Sequence, residues 1–311
     1  MNYQNKIPDI SVIIPVHNSQ RYLRKCLDSV VNQTFSNFEV VIINDGSDDG
    51  SLYIMKEYEE KYSNFRLFNI KKSGVSEARN IGVRESRAKY LSFIDSDDFV
   101  LPNFLEVLYN NIKRYNTDIS CCNYYLYWPQ RNLYIKDIMC LPSGIYSSDK
   151  IIYSLVKDVR MHFFLWNKLW KRSLFVDNEI KFPDNRCYED VYGCLEAFYF
   201  SDNVSVTSDS LYFYTRRKDS YESSVNLKKY SDYIYAFKYI RTFLDLHDKY
   251  NKYRISHIIL GIRIILSSIP MLFSIGKDIE DKKKIFKEFK LSVKSIFYCI
   301  GNKSGGKSDM I

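Results

Sequence analysis

Four apolar segments in the first hundred residues alternate with segments of helical periodicity. The apolar segments are ISVIIPV (10–16), FEVVIIND (38–45), FRLFNI (65–70) and YLSFID (90–95). Each is short and apolar at successive positions, which is typical of strands that are buried on both faces of a parallel sheet. Between them, apolar residues recur at i, i+3 and i+4. The pattern predicts a βαβ series in which helices cover a mostly parallel sheet.

The first segment between these strands shows the helical pattern. Its apolar stripe consists of Tyr22, Leu23, Cys26, Leu27, Val30 and Val31. Ser19 precedes this stripe, and we expect its hydroxyl group to cap the helix. Ligands of parallel α/β sheets bind at the carboxyl ends of the strands. The topology therefore predicts Asp45 and Asp95 on one rim of the sheet.

The second and fourth strands both continue into acidic loops, NDGSDDGS (44–51) and DSDDF (95–99). Taken singly, each loop is also an ordinary turn or N-cap sequence. Taken together, the two loops place several carboxylates in one cleft. A divalent cation would neutralise the negative charge of these carboxylates. Mg²⁺ and Mn²⁺ prefer oxygen ligands and commonly bind one or two carboxylates plus substrate phosphates. We therefore expect a divalent metal ion here, while capping of the turn before Pro102 is the alternative role of Asp98.

The segment KSGVSEARNIGVRES (72–86) lies between the two acidic loops. It predicts a helix that starts after Gly74 and carries Arg79 on its first turns. Helix N-termini and arginine both favour anions such as phosphate. A solvent-facing helix without a ligand is the alternative, because no Walker motif or GxGxxG accompanies the segment.

The order SVIIPVHN, VVIINDGSDDGS, GVSEARNIGV and YLSFIDSDDF closely resembles the family 2 glycosyltransferases, over roughly residues 9–130. The resemblance implies an α/β chain with the GT-A, nucleotide-diphospho-sugar transferase fold, in which helices flank a Rossmann-like sheet. It also implies an inverting enzyme that uses a UDP-sugar donor.

The resemblance assigns the donor side to residues that follow the first strands. It implies that Asp45 contacts uracil and that Pro15, Val16 and Asn18 lie against the base. It places Arg79 near the base or the diphosphate.

The family's DxD motif falls on Asp95, Ser96 and Asp97. In the family, the first carboxylate usually contacts ribose, and the second ligates the metal that bridges the diphosphate. Mn²⁺ or Mg²⁺ held by Asp97, with Asp95 beside it, would stabilise the charge that develops on the leaving nucleotide.

An acidic pair in NRCYEDVYGCLEAFYF (185–200) matches the family's acidic pair before a helix. By resemblance, Asp190 is the general base that takes the proton from the acceptor hydroxyl, with Glu189 beside it on the acceptor side. The alternative is that both acids are favourable first-turn charges, which contribute about 0.3 to 1 kcal/mol each.

The segment FFLWNKLWKRSLF (163–175) resembles the family's WNKLY segment. The resemblance implies that Trp166, Asn167 and Lys168 line the acceptor side. The alternative is core packing of Trp166 and Trp170, which are spaced i, i+4 as on one helix face.

The segment LYFYTRRKDSYES (211–223) resembles the basic segment that follows the last strand of the family's catalytic domain. Arginine binds diphosphates through paired hydrogen bonds. The resemblance implies that Arg216 or Arg217 reaches the diphosphate and leaves the choice between them open.

After residue 226 the sequence becomes helical, aromatic and basic, and the resemblance fades. The apolar run at 253–276 is near the length of a transmembrane helix, but Arg263 would cost about 2.5 to 3.5 kcal/mol at the bilayer centre. We expect a packed or interfacial helix instead. A second stripe consists of Ile285, Phe286, Phe289, Val293, Ile296 and Phe297. We expect this stripe either to lie on an anionic membrane leaflet or to dock on the catalytic domain or a partner.

These patterns predict two regions. Residues 1–225 form the catalytic domain, with a nucleotide-binding half at about 9–130 and an acceptor half at about 131–225. Residues 226–311 form a helical, basic region that associates with a membrane or a partner.

Composition limits the classes of function. A chain of 311 residues that is 46% hydrophobic can bury a sizeable core, and its net charge of +8 fits an anionic substrate or surface. Nucleic acid is not expected, since no basic recognition helix or aromatic RNA-binding motif occurs. Seven cysteines without a CxxC pair and no secretion signal predict reduced thiols in the cytoplasm, with peripheral contact at the inner membrane face.

The sequence therefore predicts a bacterial enzyme of capsule or exopolysaccharide synthesis. It would transfer a hexose or N-acetylhexosamine from a UDP-sugar to a hydroxyl group of a glycan or lipid-linked oligosaccharide. Two alternatives stay open. A nucleotidyltransferase would show a glycine-rich loop where this chain has PVHNSQRY, and a non-catalytic partner of an assembly complex would not need the intact acids.

Overall fold

The computed structural model describes residues 7–138, 140–184, 186–217 and 227–274, with residues 286, 287, 289–291, 293, 294 and 296–298. The strands are β1 (Ile10–Val16), β2 (Phe38–Asp45), β3 (Phe65–Ile70), β4 (Tyr90–Phe93), β5 (Phe99–Val100), β6 (Ile119–Trp128), β7 (Leu133–Lys136), β8 (Gly144–Ser147), β9 (Lys168–Lys171) and β10 (Asn203–Thr215). The helices are α1 (Gln20–Val31), α2 (Ser51–Lys61), α3 (Val75–Glu85), α4 (Phe104–Tyr115), α5 (Ser148–Lys157), α6 (Arg172–Asp177), α7 (Asp190–Tyr199), α8 (Leu227–Leu246) and α9 (Tyr250–Ser274).

The described strands form one sheet flanked by helices. Its main path runs β3-β2-β1-β4-β9-β6-β10-β5, with β7 beside β6 and β8 beside β10. Strands β1 to β4 pair in parallel, as predicted from the βαβ pattern. Strand β9 runs antiparallel between β4 and β6. The predicted α/β fold is confirmed, but the sheet as a whole is mixed rather than mostly parallel, because the second half contributes antiparallel strands.

Three of the four predicted strands have the predicted bounds, and the fourth ends at Phe93. Strands β1, β2 and β4 are buried at every residue. The prediction that β3 is buried on both faces is wrong, since only Phe65 is buried. The physical reason is position: β3 is an edge strand, with a partner on one side only.

The predicted cap of α1 is also wrong. Ser19 makes no side-chain cap bond to the helix. Its hydroxyl oxygen lies 2.6 Å from that of Ser96, and its backbone N–H donates to the hydroxyl of Ser51. Ser19 is buried under the loop after β4, so its hydroxyl finds a partner in that loop instead of in α1.

Asp98 does not cap the turn before Pro102. Its carboxylate accepts hydrogen bonds from the hydroxyl of Tyr212 and the backbone N–H of Thr215, each at 2.7 Å. Asp98 is buried, and it joins the loop after β4 to the end of β10. Burial, followed by the nearby carboxylates of Asp97 and Asp95, raises the pKa of Asp98 well above its usual value.

Trp166 and Trp170 do not share a helix. Trp170 lies in β9 and is fully buried, with its indole N–H donating to the carbonyl of Leu165 at 3.1 Å. Trp166 precedes β9 and is 5% exposed. Both side chains belong to buried core clusters, so core packing is observed for each, although not on a helix, and Trp166 also lines the cleft described below.

Helices α8 and α9 share the hydrophobic core of the second half of the sheet. Phe237, Ile240, Leu260 and Ile264 are buried in one cluster with residues of α5 and α7. Within the described ranges, no helix combines the length and the apolar character needed to cross a bilayer. One face of the first apolar run is therefore packed, whereas Ile255, Ile262 and Leu266 of the same helix are exposed, so contact with a membrane interface stays a prediction. The predicted boundary at 225/226 lies outside the described residues.

The second predicted stripe divides into buried and exposed positions. Ile285 lies outside the described residues. Ile296 is fully buried and Phe289 packs against the same core as α8. Phe286 and Phe297 are more than half exposed, at 61% and 63%. The buried positions favour docking on the rest of the chain, and contact with a membrane stays a prediction.

Gly82 on α3 allows a close approach to β1. An added Cβ atom would lie 2.3 Å from Cγ2 of Ile13, closer than side chains tolerate. We expect Gly82→Ala to lower the free energy of unfolding by about 1 to 3 kcal/mol, since overpacking outweighs the better helix propensity of alanine. Urea denaturation measures this. The control is Gly144→Ala, where the nearest atom is 3.5 Å away; an equal loss in both variants would contradict the explanation.

Candidate active site

The carboxyl ends of β1, β2 and β4 open onto a cleft of about 1220 Å³. Most of the residues predicted for the site line it: Pro15, Val16, Asp45, Arg79, Asp95, Ser96, Asp97, Trp166, Glu189, Asp190 and Arg217. Four others do not: Asn18, Asn167, Lys168 and Arg216. The structure thus brings the acids of both loops and the acidic pair of α7 into one space.

Asp45 ends β2 and organises the turn before α3. Its two carboxylate oxygens accept hydrogen bonds from the backbone N–H groups of Ser73 (2.6 Å) and Gly74 (2.9 Å). Gly74 has a φ of +96°, which glycine adopts without strain. A carboxylate offers about four acceptor positions, so Asp45 can accept a further hydrogen bond from a ligand.

Arg79 is buried between two carboxylates. Its side chain is 7% exposed, and its Nη2 lies 3.0 Å from Oδ1 of Asp95. Its Nη1 forms an ion pair with Oε1 of Glu189. Burial lowers the pKa of Arg79, but the two carboxylates together raise it above its usual value, so the guanidinium stays charged. Arg79 therefore joins the loop after β4 to the start of α7.

Of the two candidate arginines after β10, Arg217 lines the cleft and Arg216 does not. Nη2 of Arg217 lies 2.6 Å from Oδ2 of Asp97. Arg216 is exposed, with its backbone N–H donating to the carbonyl of Tyr127 and its guanidinium over the ring of Tyr214. The side chains diverge because alternate residues at the end of a strand point to opposite faces.

The acids of the cleft fit a divalent ion only in part. No group of three or more His, Cys, Asp or Glu side chains suited to a metal occurs in the part of the chain that the structure describes. Asp95 and Asp97 line the cleft, and each has an arginine partner. An ion at Asp97 would need substrate oxygens for most of its ligands, which is how Mg²⁺ usually binds with phosphates.

Helix α7 begins at Asp190, and Glu189 precedes it. The Glu189 carboxylate does not cap the helix, because it binds Arg79 instead. Removal from water, followed by the charge of Glu189, raises the pKa of Asp190 well above its usual value. A cleft carboxylate with a raised pKa is suited to proton transfer.

Asn167 and Lys168, which were predicted for the acceptor side, do not line the cleft. The Asn167 amide donates to the carbonyl of Cys122 at 2.8 Å, and its oxygen accepts from Nζ of Lys168 at 2.6 Å. Lys168 is fully buried and also donates to the carbonyl of Phe164. Both side chains hold the segment before β9, because a buried ammonium needs acceptors on all sides.

Asn18 lies outside the cleft at the surface. Its amide donates to Oδ1 of Asp48 at 2.5 Å and its oxygen accepts from the Asp48 backbone N–H at 2.9 Å. It therefore joins the turn after β1 to the acidic loop after β2.

Sequence reasoning missed one whole side of the cleft. The lining residues that it did not name include His17, Lys72, Asp158, His162, Arg186, Tyr188, Lys228, Tyr233, Phe237 and Leu260. The last four belong to α8 and α9, so the C-terminal helices contribute to the cleft itself. Asp158 and His162 are spaced i, i+4, but they lie after the end of α5 and not on one helix, so the helical pairing rule would not have found them.

The fold and the site together define an α/β protein of the kind that binds ligands at the carboxyl ends of its strands. The family model described as "Glycosyl transferase family 2" matches residues 11–175, which is just over half of the chain. The chain therefore belongs to glycosyl transferase family 2, and its class is that of the glycosyltransferases. The resemblance inferred from its motifs is confirmed.

Two curated relatives and one solved structure illustrate the match. The chain is 35% identical over 217 residues to Glycosyltransferase GlyA of Streptococcus pneumoniae serotype 4, covering 68% of this chain and 31% of the relative. It is 35% identical over 228 residues to Cholesterol galactosyltransferase of Borreliella burgdorferi, covering 70% and 63%. The chain thus spans less than two thirds of the length of these two relatives. The crystal structure of S. aureus TarS 1-349 in complex with UDP-GlcNAc has a TM-score of 0.72 at 21% identity, covering 94% of this chain and 84% of that chain.

Proposed function

We propose that this glycosyltransferase moves a hexose or N-acetylhexosamine from a UDP-sugar to a hydroxyl group of a glycan or lipid-linked oligosaccharide in bacterial surface polysaccharide synthesis, with inversion. The observation that carries the proposal is the meeting of Asp45, Asp95, Asp97 and Asp190 on one cleft. The fold match to a protein in complex with UDP-GlcNAc supports a uridine nucleotide sugar as the donor. Both quoted relatives are bacterial, but only the name of the second states an acceptor, cholesterol, so these relatives do not fix the acceptor of this chain.

The donor would lie along the strand ends. Pro15 and Val16 contact the uracil, and Asp45 accepts a hydrogen bond from it. Asp95 binds the ribose, and Ser96 supports this loop through its contact with Ser19. Arg217 lies against Asp97 and reaches the diphosphate, because a guanidinium pairs with phosphate oxygens as well as with a carboxylate.

Asp97, with Asp95 beside it, would hold Mn²⁺ or Mg²⁺. A bound ion would supply positive charge that stabilises the diphosphate leaving group. The positive charge of Arg217 would stabilise the same diphosphate, because its guanidinium pairs with the carboxylate of Asp97. Together these groups lower the free energy of the charged leaving group.

Asp190 would act as the general base. In its ionised form it takes the proton from the acceptor hydroxyl while that oxygen attacks the anomeric carbon. The pair between Arg79 and Glu189 fixes the residue before Asp190, and so positions the base. One displacement on the face opposite the leaving group inverts the anomeric centre.

Release of UDP from a panel of UDP-sugars, with Mn²⁺ or with EDTA, tests the function. We expect metal-dependent release from one donor and a loss of about 100-fold or more in Asp97→Ala, because the developing charge loses its main stabilisation. Asp177→Ala is the control, since Asp177 is exposed and does not line the cleft. Absence of both UDP release and UDP binding in calorimetry would instead favour a non-catalytic partner that keeps the fold.

A further inference from the structure

We propose that His162, oriented by Asp158 and Arg263, recognises the acceptor, and that the part of the cleft around it binds a neutral pyranose unit. The inference rests on the proposed function and deepens it, since it names the chemistry of the second substrate. Three features of the cleft support this role. One ring nitrogen of His162 is bound to Asp158, Arg263 holds Asp158 in place, and a row of aromatic side chains lies beside His162.

His162 lines the cleft together with Asp158, its hydrogen-bond partner. Its Nδ1 lies 2.7 Å from Oδ1 of Asp158, and the side chains are 23% and 26% exposed. Because the carboxylate accepts this hydrogen bond, Nδ1 carries the proton and Nε2 keeps its lone pair in the neutral ring. Among the residues that the structure describes, none hydrogen-bonds to Nε2. Nε2 is therefore the atom that a hydroxyl group in the cleft can donate to.

Arg263 of α9 fixes the carboxylate of this pair. Its Nη1 donates to the carbonyl of Lys157 at 2.8 Å and to the carbonyl of Asp158. Its Nη2 lies 3.5 Å from Oδ2 of Asp158. An arginine at the end of a helix satisfies carbonyls that have no partner within that helix. The residue that argued against a bilayer span thus connects α9 to the end of α5 and holds Asp158.

The ring of His162 begins a row of aromatic side chains along the cleft. The centroid of Phe164 lies 5.2 Å from that of His162. Phe164 stacks on Trp166 at 4.6 Å, and Trp166 stacks on Tyr214 at 5.5 Å with 5° between the rings. All of these residues line the cleft that also contains Asp190. Trp166 also stacks on Tyr212 at 4.4 Å, so the row presents an apolar surface instead of an open ring face. Such a surface with a few polar atoms suits a ligand that carries apolar C–H groups beside hydroxyl groups.

The pairing of the charges near His162 favours a neutral ligand over a phosphate. Asp158 pairs with Arg263 of α9, and Nζ of Lys168 donates to the carbonyls of His162 and Phe164. Arg186 lines the cleft too, but its guanidinium is 3.1 Å from the carboxylate of Asp232 and lies over the ring of Tyr235. A pyranose meets these conditions, since it offers C–H groups to the aromatic row and a hydroxyl to Nε2.

The test uses full-length protein saturated with UDP and three probes: the methyl β-glycosides of glucose, galactose and N-acetylglucosamine. Saturation-transfer NMR measures their binding, and calorimetry measures UDP binding. In His162→Asn the side-chain amide can still donate a hydrogen bond to Asp158, but no atom occupies the position of Nε2. In His162→Gln the longer side chain places a polar atom at the position of Nε2. His247→Asn is the matched control, because His247 lies outside the cleft.

We expect His162→Asn to weaken binding of one glycoside about five-fold, as for the loss of one hydrogen bond. His162→Gln and His247→Asn should bind it nearly as wild type does, and Arg263→Lys should show a smaller loss than His162→Asn. UDP affinity should stay the same in all four variants, which separates this role from a general loss of folding.

Two outcomes would overturn the inference and leave the proposed function intact. One is UDP binding with equal glycoside binding in wild type and His162→Asn. The other is UDP binding without binding of any glycoside, which would exclude a saccharide as the ligand of this part of the cleft. Failure of wild type to bind UDP would instead overturn the proposed function, and this inference with it.

Discussion

Asp190→Asn is expected to lower the rate of sugar transfer by about 10²- to 10⁴-fold, the usual contribution of a general base. The amide keeps the shape of the side chain but cannot take a proton. UDP affinity should be unchanged, because the donor residues lie at the ends of β1, β2 and β4. Steady-state UDP release and calorimetry measure the two quantities.

The pH dependence gives a second measure of the same group. The pKa of Asp190 is raised by its removal from water and by Glu189. Since the base acts only when ionised, the rate should fall as pH decreases through this raised pKa, at higher pH than for an ordinary aspartate. Asp177→Asn is the matched control and should keep the wild-type profile. An Asp190→Asn enzyme with more than about a tenth of the wild-type rate would exclude this residue as the base.

Arg79→Ala is expected to lower the free energy of unfolding by about 3 to 5 kcal/mol, as for a broken buried ion pair. The substitution leaves the carboxylates of Asp95 and Glu189 without their cation in a largely buried place. Transfer activity should be lost as well, because both the donor loop and the start of α7 lose their connection. Urea denaturation measures the stability.

Arg84→Ala on the same helix is the matched control for Arg79→Ala. The Arg84 side chain is 65% exposed, and among the described residues its ion pair is with its neighbour Glu85, so the change should stay within about 0.5 kcal/mol. If Arg79 acts only by binding the diphosphate, Arg79→Ala would keep wild-type stability and lose UDP affinity. That result would contradict the structural role assigned to the arginine.

Local patterns made the first half of the sheet predictable. Strands β1, β2 and β3 have the predicted bounds, because apolar runs separated by helices specify parallel pairing through nearby residues. The same argument placed Asp45 and Asp95 on one rim, where both line the cleft.

Contacts between distant residues were not predictable from the sequence. Glu189 meets Arg79 from 110 positions away, and no local pattern distinguishes this pairing from a contact between Arg79 and a phosphate. Lys168 carries a charge, which predicts exposure, yet tertiary contacts surround it with acceptors. The contribution of α8 and α9 to the cleft depends on how the helices pack on α5 and α7, which composition does not encode.

The central claim is a single displacement in this cleft, with Asp190 as the base. Its most direct test is the anomeric configuration of the first product that the wild-type enzyme forms, followed by proton NMR during the reaction. An α-linked UDP-sugar should give a β-linked product from the first detectable turnover. A product that keeps the α configuration would contradict the single displacement and the role assigned to Asp190.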